Sequence, residues 1–468
     1  MLWTLTKKEM LANVTSLRFV LTLLLVMVVF IISGFVFVGR HRQEIEDFSD
    51  TFNRNLSGLE EASNNLSRVP NHVQTIRRQP KITQLCCEGF EKSMPNTFRM
   101  TGFSIQNPEI VSRANFLFPR FADIDWAFII SLILSFVAFL ITFDSLSAEK
   151  ERGTLRMVMS NSVPRDKLIL GKYVSGMLTL MIPLLVGLLL NLIIVGFSGL
   201  SFTTARQWMR ILAFAGISVL YLSTFVLIGI LISSRSAKSA SSIVVLLFTW
   251  VIIVMIVPSA GRIVAERFVK VPTRSEVERQ IRDAGREIWE NSERYGERAG
   301  SWSSGDPNYG NPPARARLFN AIVDSRNRIN EGYINRMAEQ VSLGRNVTRF
   351  SPTVMYQCAS EAIAGTGVAR FRKLYNDLKR YKETLKDFVM SVDKSDPDSF
   401  HLWAEGGQHR ILLSQRPVDH NAIPRFEEID TPIGSALRGA VWDIGALVLL
   451  NLLLFMGVNI SFLRSDVK

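Results

Sequence analysis

Six uninterrupted runs without an Asp, Glu, Lys or Arg, at 19–39, 126–143, 173–205, 211–234, 239–261 and 444–463, decide what this chain can become. A hydrocarbon core about 30 Å thick is crossed by roughly 20 helical residues. Lipid offers backbone amides no hydrogen-bond partner, so only helices or a closed barrel can span it; the runs lack the alternation of barrel strands. The expected fold class is therefore an all-α membrane protein with six transmembrane helices. A mean hydropathy of only +0.18 with 21% charged residues requires large polar segments beside the spans. The first run is 21 residues long, follows an 18-residue lead and lacks a clear small-residue cleavage site before Arg40, so it reads as a retained span.

An even number of spans puts both termini on one side. The short segments on that side carry Lys7, Lys8, Arg18, Lys150, Arg152, Arg156, Arg165, Lys167, Lys172, Arg235, Lys238, Arg464 and Lys468, against Arg206 and Arg210 in the opposing short loop. By the positive-inside rule the termini are cytoplasmic. The chain then divides into an interfacial segment at 1–15, a span within 16–39, a first extracytoplasmic segment at 40–125, a span at 126–143, a cytoplasmic loop at 144–172, three spans at 173–261, a second extracytoplasmic segment at 262–443, a last span at 444–463 and a tail at 464–468. The net charge of +12 is dispersed through both outer segments, which argues for contact with anionic membrane lipids and against nucleic acid as a partner.

The second outer segment reads as mainly helical. Val277, Ile281, Ala284 and Ile288 share one helix face, and Phe371, Leu374, Leu378, Tyr381, Leu385 and Phe388 step by three and four like the seam of a heptad pattern. Aromatic residues at that spacing are expected as bundle core, not as a ligand stack. Residues 301–313, rich in Ser, Gly, Pro and Asn, read as an exposed loop. Cys86 and Cys87 lie in the first outer segment and Cys358 in the second. Adjacent cysteines seldom bridge each other, so the expected disulfide joins Cys358 to Cys86 or Cys87; the alternative is three reduced, partly buried thiols.

Catalytic chemistry is nearly absent from the sequence. No G-x-x-x-x-G-K-[ST] run occurs, since Gly171-Lys172 is followed by Tyr173, and ATP would have to be bound by another subunit. There is no H-E-x-x-H, and the spacing of His401, His409 and His420 matches no common zinc pattern. No residue is assigned as catalytic, cofactor-binding or metal-ligating. The charge-free spans lack the ionisable relay of ion-coupled carriers, which favours an externally powered permease.

The most informative stretch is the loop between the second and third spans. Glu149-Lys150-Glu151-Arg152-Gly153-Thr154-Leu155 continues through Val158 and Met159 to Ser162, Pro164, Arg165 and Asp166. It reads as two short helical pieces with an elbow between them. Leu155, Val158 and Met159 are expected to form an apolar knob for a cytoplasmic partner, while Ser162, Pro164 and Asp166 suit the first turn of the next helix.

This run, with Leu170-Gly171-Lys172 after it, resembles the hallmark loop of type-2 ABC exporter permeases. The branch containing permeases of nitrous-oxide-reductase maturation and gliding-motility transporters is particularly similar. Ser351-Pro352 and Ala364-Gly365-Thr366-Gly367, ahead of a long basic helix, resemble the outer helical domain of a sub-branch with an insertion before the last span. The resemblance implies a permease dimer, homo- or heteromeric, in a bacterial cytoplasmic (inner) membrane, driven by separate ABC ATPase subunits that bind the nucleotide. It assigns ATPase coupling to Glu149, Lys150, Glu151, Arg152, Gly153, Thr154, Leu155, Val158, Met159, Pro164 and Arg165. The function it implies is export or extraction of a substrate. The alternative is mechanotransmission to a periplasmic partner through the outer domain.

Overall fold

Each apolar run supplies a helix of spanning length, the run at 173–205 ending its helix at Phe197, in the computed structural model, which describes residues 2–109, 124–155, 164–200, 202–296, 312–405 and 412–464. The chain opens with α1 (Leu2–Val14), which packs on the N-terminal end of the third span through Leu5, seated against Gly171. Ser16 then caps the first span by accepting from the amide of Phe19.

That span, α2 (Leu17–Ser63), does not stop where its apolar run stops at residue 39. Residues 40–63 contain no proline, so nothing breaks the hydrogen-bond ladder, and the helix continues for 47 residues in all, about 70 Å at 1.5 Å per residue. Its far end is anchored where Leu59, Ala62, Leu66 and Val69 pack on Leu385, Val389, Leu413 and Ile423. A three-stranded antiparallel sheet follows, β1 (Gln74–Arg77), β2 (Thr97–Met100) and β3 (Ile105–Glu109), in the order β1-β2-β3. Ile76, Phe98, Met100 and Ile105 cover the seam residues Phe371, Leu374 and Leu378, so the outer domain is mainly helical but not wholly so.

The second span comprises α3 (Trp126–Ile129), a π-helical turn at Ile130–Leu134 and α4 (Ser135–Thr142), continuing into α5 (Ser147–Glu151). The third and fourth are α6 (Arg165–Phe197) and α7 (Ala205–Arg235). The fifth contains α8 (Ser239–Trp250), a second π turn at Val251–Ile256 and α9 (Val257–Phe268).

Beyond it come α10 (Arg274–Glu290), α11 (Pro312–Thr348), α12 (Pro352–Ala364) and α13 (Gly367–Asp393), and α14 (Ile433–Leu463) is the last span. The expected face of α10 is present, with Val277 buried and Ile281, Ala284 and Ile288 half-buried. Of the expected loop at 301–313, only Pro312 and Pro313 lie within the described residues, and they open α11.

One feature of the outer segment re-enters the spans. α11 runs down beside α9 so closely that a Cβ on Gly261 would lie 2.5 Å from the carbonyl oxygen of Gly344, a contact only glycine permits. The chain reverses at Ser351, whose hydroxyl donates to Ile253 O at 3.0 Å. α12 then returns along α7, stacking Tyr356 on Tyr221 at 4.4 Å between ring centroids. Ile253 and Tyr221 belong to the apolar runs at 239–261 and 211–234, so the tip of this hairpin sits below the outer ends of those spans. Its two buried tyrosine hydroxyls are paired: Tyr356 OH meets Ser218 Oγ at 2.9 Å, and Tyr221 OH donates to Ser131 O in the first π turn at 3.0 Å.

The expected disulfide is not formed. All three cysteines are free and buried, and Cys358 Sγ accepts a hydrogen bond from Arg345 Nε at 3.2 Å in place of a bridge to Cys86 or Cys87.

Candidate functional site

The end of the second span that leads into residues 144–155 is bonded to its neighbours residue by residue. The amides of Leu146 and Ser147 donate to Ser233 Oγ of α7 at 3.0 and 3.1 Å, and Lys150 Nζ donates to the carbonyl of Ser234. Glu149 accepts from Lys172 of α6 at 2.7 Å. Glu151 accepts from the amide of Ser239 at 3.1 Å, where a carboxylate suits the positive N-terminal end of α8.

The flanks of the loop reach the two remaining spans. Asp144 pairs with Arg18 at the start of α2 at 2.9 Å. Arg165, in the first turn of α6, donates to Leu463 O at 3.0 Å, satisfying a carbonyl at the C-terminal end of α14. Thus the segment from Asp144 to Lys172 is tied to every span. Lys172 carries a second partner, Glu9 of α1 at 3.1 Å, and its own side chain is only 2% exposed.

Between these anchors stands a free tip. Arg152, Gly153 and Thr154 are exposed, and Thr154 Oγ1 donates back to Glu149 O at 3.3 Å. Gly153 sits at φ +73°, a left-handed conformation that reverses the chain at little cost to glycine and at about 1–2 kcal/mol for other residues.

Leu155 corrects the expected knob. It is 2% exposed and belongs to the same apolar core as the spans, beside residues such as Leu146 and Leu168, so it is an internal anchor of the loop and not a projection from it. Val158 and Met159 lie outside the described residues. Pro164 is exposed and precedes the first turn of α6. Asp144, Glu9, Ser233 and Ser239 carry no signal in the sequence, and Lys172 stands there only as the end of the Leu170-Gly171-Lys172 run, not as a tie between helices. Lys172 carried the one available signal, a cation directly before a 33-residue run that contains none.

Among the described residues, no group of three or more His, Cys, Asp or Glu side chains is placed to hold a metal ion. His401 Nδ1 lies 2.7 Å from Asp393 Oδ2, His420 lies 3.9 Å from Asp419, and His409 falls outside the described residues.

The family model described as "ABC-2 family transporter protein" matches residues 3–467. None of the curated proteins matches the chain.

Proposed function

The chain belongs to the ABC-2 family of transporter membrane proteins, and on that premise we propose that the tip at Arg152–Thr154 is where a separate ABC ATPase subunit engages it. It is the multi-pass permease subunit of a transporter, in a family whose membrane subunit has no catalytic activity itself and works with an ABC ATPase. One observation carries the reading: the exposed tip at Arg152, Gly153 and Thr154 rises from a segment bonded to all the spans. A push on the tip would move the spans together, because hydrogen bonds link its base to each of them, those to Ser233 and Lys172 being buried or partly buried. Lys150 and Glu149 act in this scheme as internal struts, and Leu155 as the pin that holds the loop to the core. The chain itself would need no cofactor, with ATP bound by the partner. The complex would be a dimer of permeases with two ATPases in a bacterial cytoplasmic membrane, moving a substrate outward.

A second reading, mechanotransmission to an envelope partner, is favoured by α2, one unbroken helix from the cytoplasmic surface to the outer domain. The test is co-purification of the ATPase encoded beside this chain with Arg152→Glu and Gly153→Val variants at matched membrane expression. Loss of ATPase recruitment supports coupling through the tip, and recruitment equal to wild type overturns it. Transport assays with the assembled complex then separate export from mechanical signalling.

A further inference from the structure

A cavity of about 720 Å³ opens on the outer side, where the first, third and fourth spans leave their apolar runs at residues 39, 205 and 211. Its walls come from His41 of α2, Gly199 and Leu200, the start of α7 and the segments holding Lys81 and Asp430. It therefore lies at the level where lipid head groups meet the protein.

The charges around it do not balance. Lys81, Arg206 and Arg210 line the cavity, and Asp430 is the one carboxylate among its described lining residues. Asp430 lies 2.7 Å from Lys81 and 3.7 Å from Arg206, so it is shared between them. Glu428, 3.9 Å from Lys81, is already held by Arg370 at 2.7 Å. Arg210 spends its donors on the backbone carbonyls of Ile363 and Thr431, which orient its guanidinium without cancelling its charge. The first turn of the 31-residue helix α7, capped by Thr204 and Gln207, adds the positive end of a helix dipole to the same wall. Burial, and then the charge of Arg370, hold the Lys81 ammonium below its usual range, as expected where positive potential is incompletely met.

We propose that this cavity is a binding site for the phosphate group, mono- or diester, of an anionic amphiphile of the outer leaflet, one whose head group carries no compensating cation. Three cations and a helix N-terminus converge on a polar space at head-group depth, a geometry that guanidinium and ammonium groups use for phosphate. The site goes beyond the coupling reading and stands independently of it, since no ATPase is needed to test it.

The full-length chain is reconstituted in nanodiscs of phosphatidylcholine with graded phosphatidylglycerol, and bound lipid and thermal unfolding are followed by native mass spectrometry and fluorescence. A parallel arm titrates inorganic phosphate into pure phosphatidylcholine nanodiscs. Wild-type protein is expected to retain and be stabilised by the anionic lipid. Arg206→Gln, at a side chain 55% exposed and so tolerant of change, should weaken that binding about tenfold. Lys81→Gln should do the same, and Asp430→Asn should tighten it. Protection by inorganic phosphate in the neutral bilayer, equally sensitive to Arg206→Gln, would keep the site and assign it to a soluble phosphate. Binding of neither probe, or binding unchanged in Arg206→Gln, overturns the proposal.

Discussion

Lys172 Nζ lies 2.7 Å from Glu149 and 3.1 Å from Glu9, so one buried ammonium joins the third span to the end of the second and to the N-terminal helix. Neither carboxylate is deeply buried, with side chains 23% and 27% exposed, whereas Lys172 is at 2%. The cation is thus the member that depends on the pair. Without its partners it would be an unmet buried charge.

Lys172→Met keeps the volume and removes the charge. We expect α1 and α5 to loosen from α6 at a local cost of about 1.5–3 kcal/mol, the range for a lost hydrogen bond to a charged group, since the carboxylates left behind can reach water. Amide hydrogen exchange should speed up in residues 2–14 and 147–151 while the outer domain keeps its protection. Unchanged exchange in both segments would show that the ammonium is not their tie.

Gly153→Val tests the tip separately from the core. A Cβ there meets nothing within 4 Å, so the substitution costs only the strain of a left-handed β-branched residue, about 1–2 kcal/mol. The variant should insert and unfold close to wild type in detergent, yet recruit less ATPase. Full recruitment would place the partner's grip elsewhere.

Leu155→Asp should behave differently from Gly153→Val. A carboxylate at a site 2% exposed inside the spans' own core should destabilise the chain by about 3–5 kcal/mol, seen as lower yield and an earlier unfolding transition before any partner is added. A stable monodisperse L155D protein that has lost only the ATPase would restore Leu155 as an exposed anchor.

Leu155 also shows where sequence reading reaches its limit. Run length alone identified the spans, because crossing lipid demands the same property of every residue, whatever its neighbours. The seam from Phe371 to Phe388 was legible for a similar reason: its period is local. An apolar residue in a charged loop, by contrast, looks the same whether it faces its own core or a partner's groove. The extension of α2 to Ser63 was hidden because polar residues propagate a helix as well as apolar ones when no proline intervenes. The re-entrant α12 was hidden because 13 residues of mild hydropathy are too short to read as a span; partners as distant in sequence as Tyr221 and Ile253 put them there. The lateral ties of Glu149 and Lys150 needed coordinates for the same reason.

The thiols give a chemical test of the fold. Burial pushes Cys358 up to about 11, with Arg345 opposing the rise, and raises Cys86 and Cys87 further. At pH 8 a thiol of pKa 11 is about 0.1% thiolate, so alkylation of Cys358 should be slow and should rise about tenfold per pH unit until the pKa is reached. A non-reducing peptide map of the folded protein should contain three unbridged cysteines. A Cys358 peptide linked to Cys86 or Cys87 would overturn the assignment.

The same thiol reports on the re-entrant hairpin. Arg349, at the turn between α11 and α12, grips Asp443 in α14 through two hydrogen bonds, Nε to Oδ1 at 2.7 Å and Nη2 to Oδ2 at 2.9 Å. This bidentate pair, with Asp443 2% exposed, fixes the hairpin against the last span, and it lines a cavity of about 350 Å³ together with Cys358. Asp443→Asn removes the negative charge and one acceptor while keeping the shape, so the tie should lose about 2 kcal/mol. The hairpin should then open more often, and Cys358 in D443N should react with a membrane-impermeant maleimide on the order of thirtyfold faster than in wild type under native conditions. The control is Arg416→Gln, which breaks a pair with Asp396 elsewhere in the outer domain and should leave Cys358 as slow as before. Equal labelling of D443N and wild type would mean that the Tyr221–Tyr356 stack and the Ser351–Ile253 bond hold the hairpin without help from this pair.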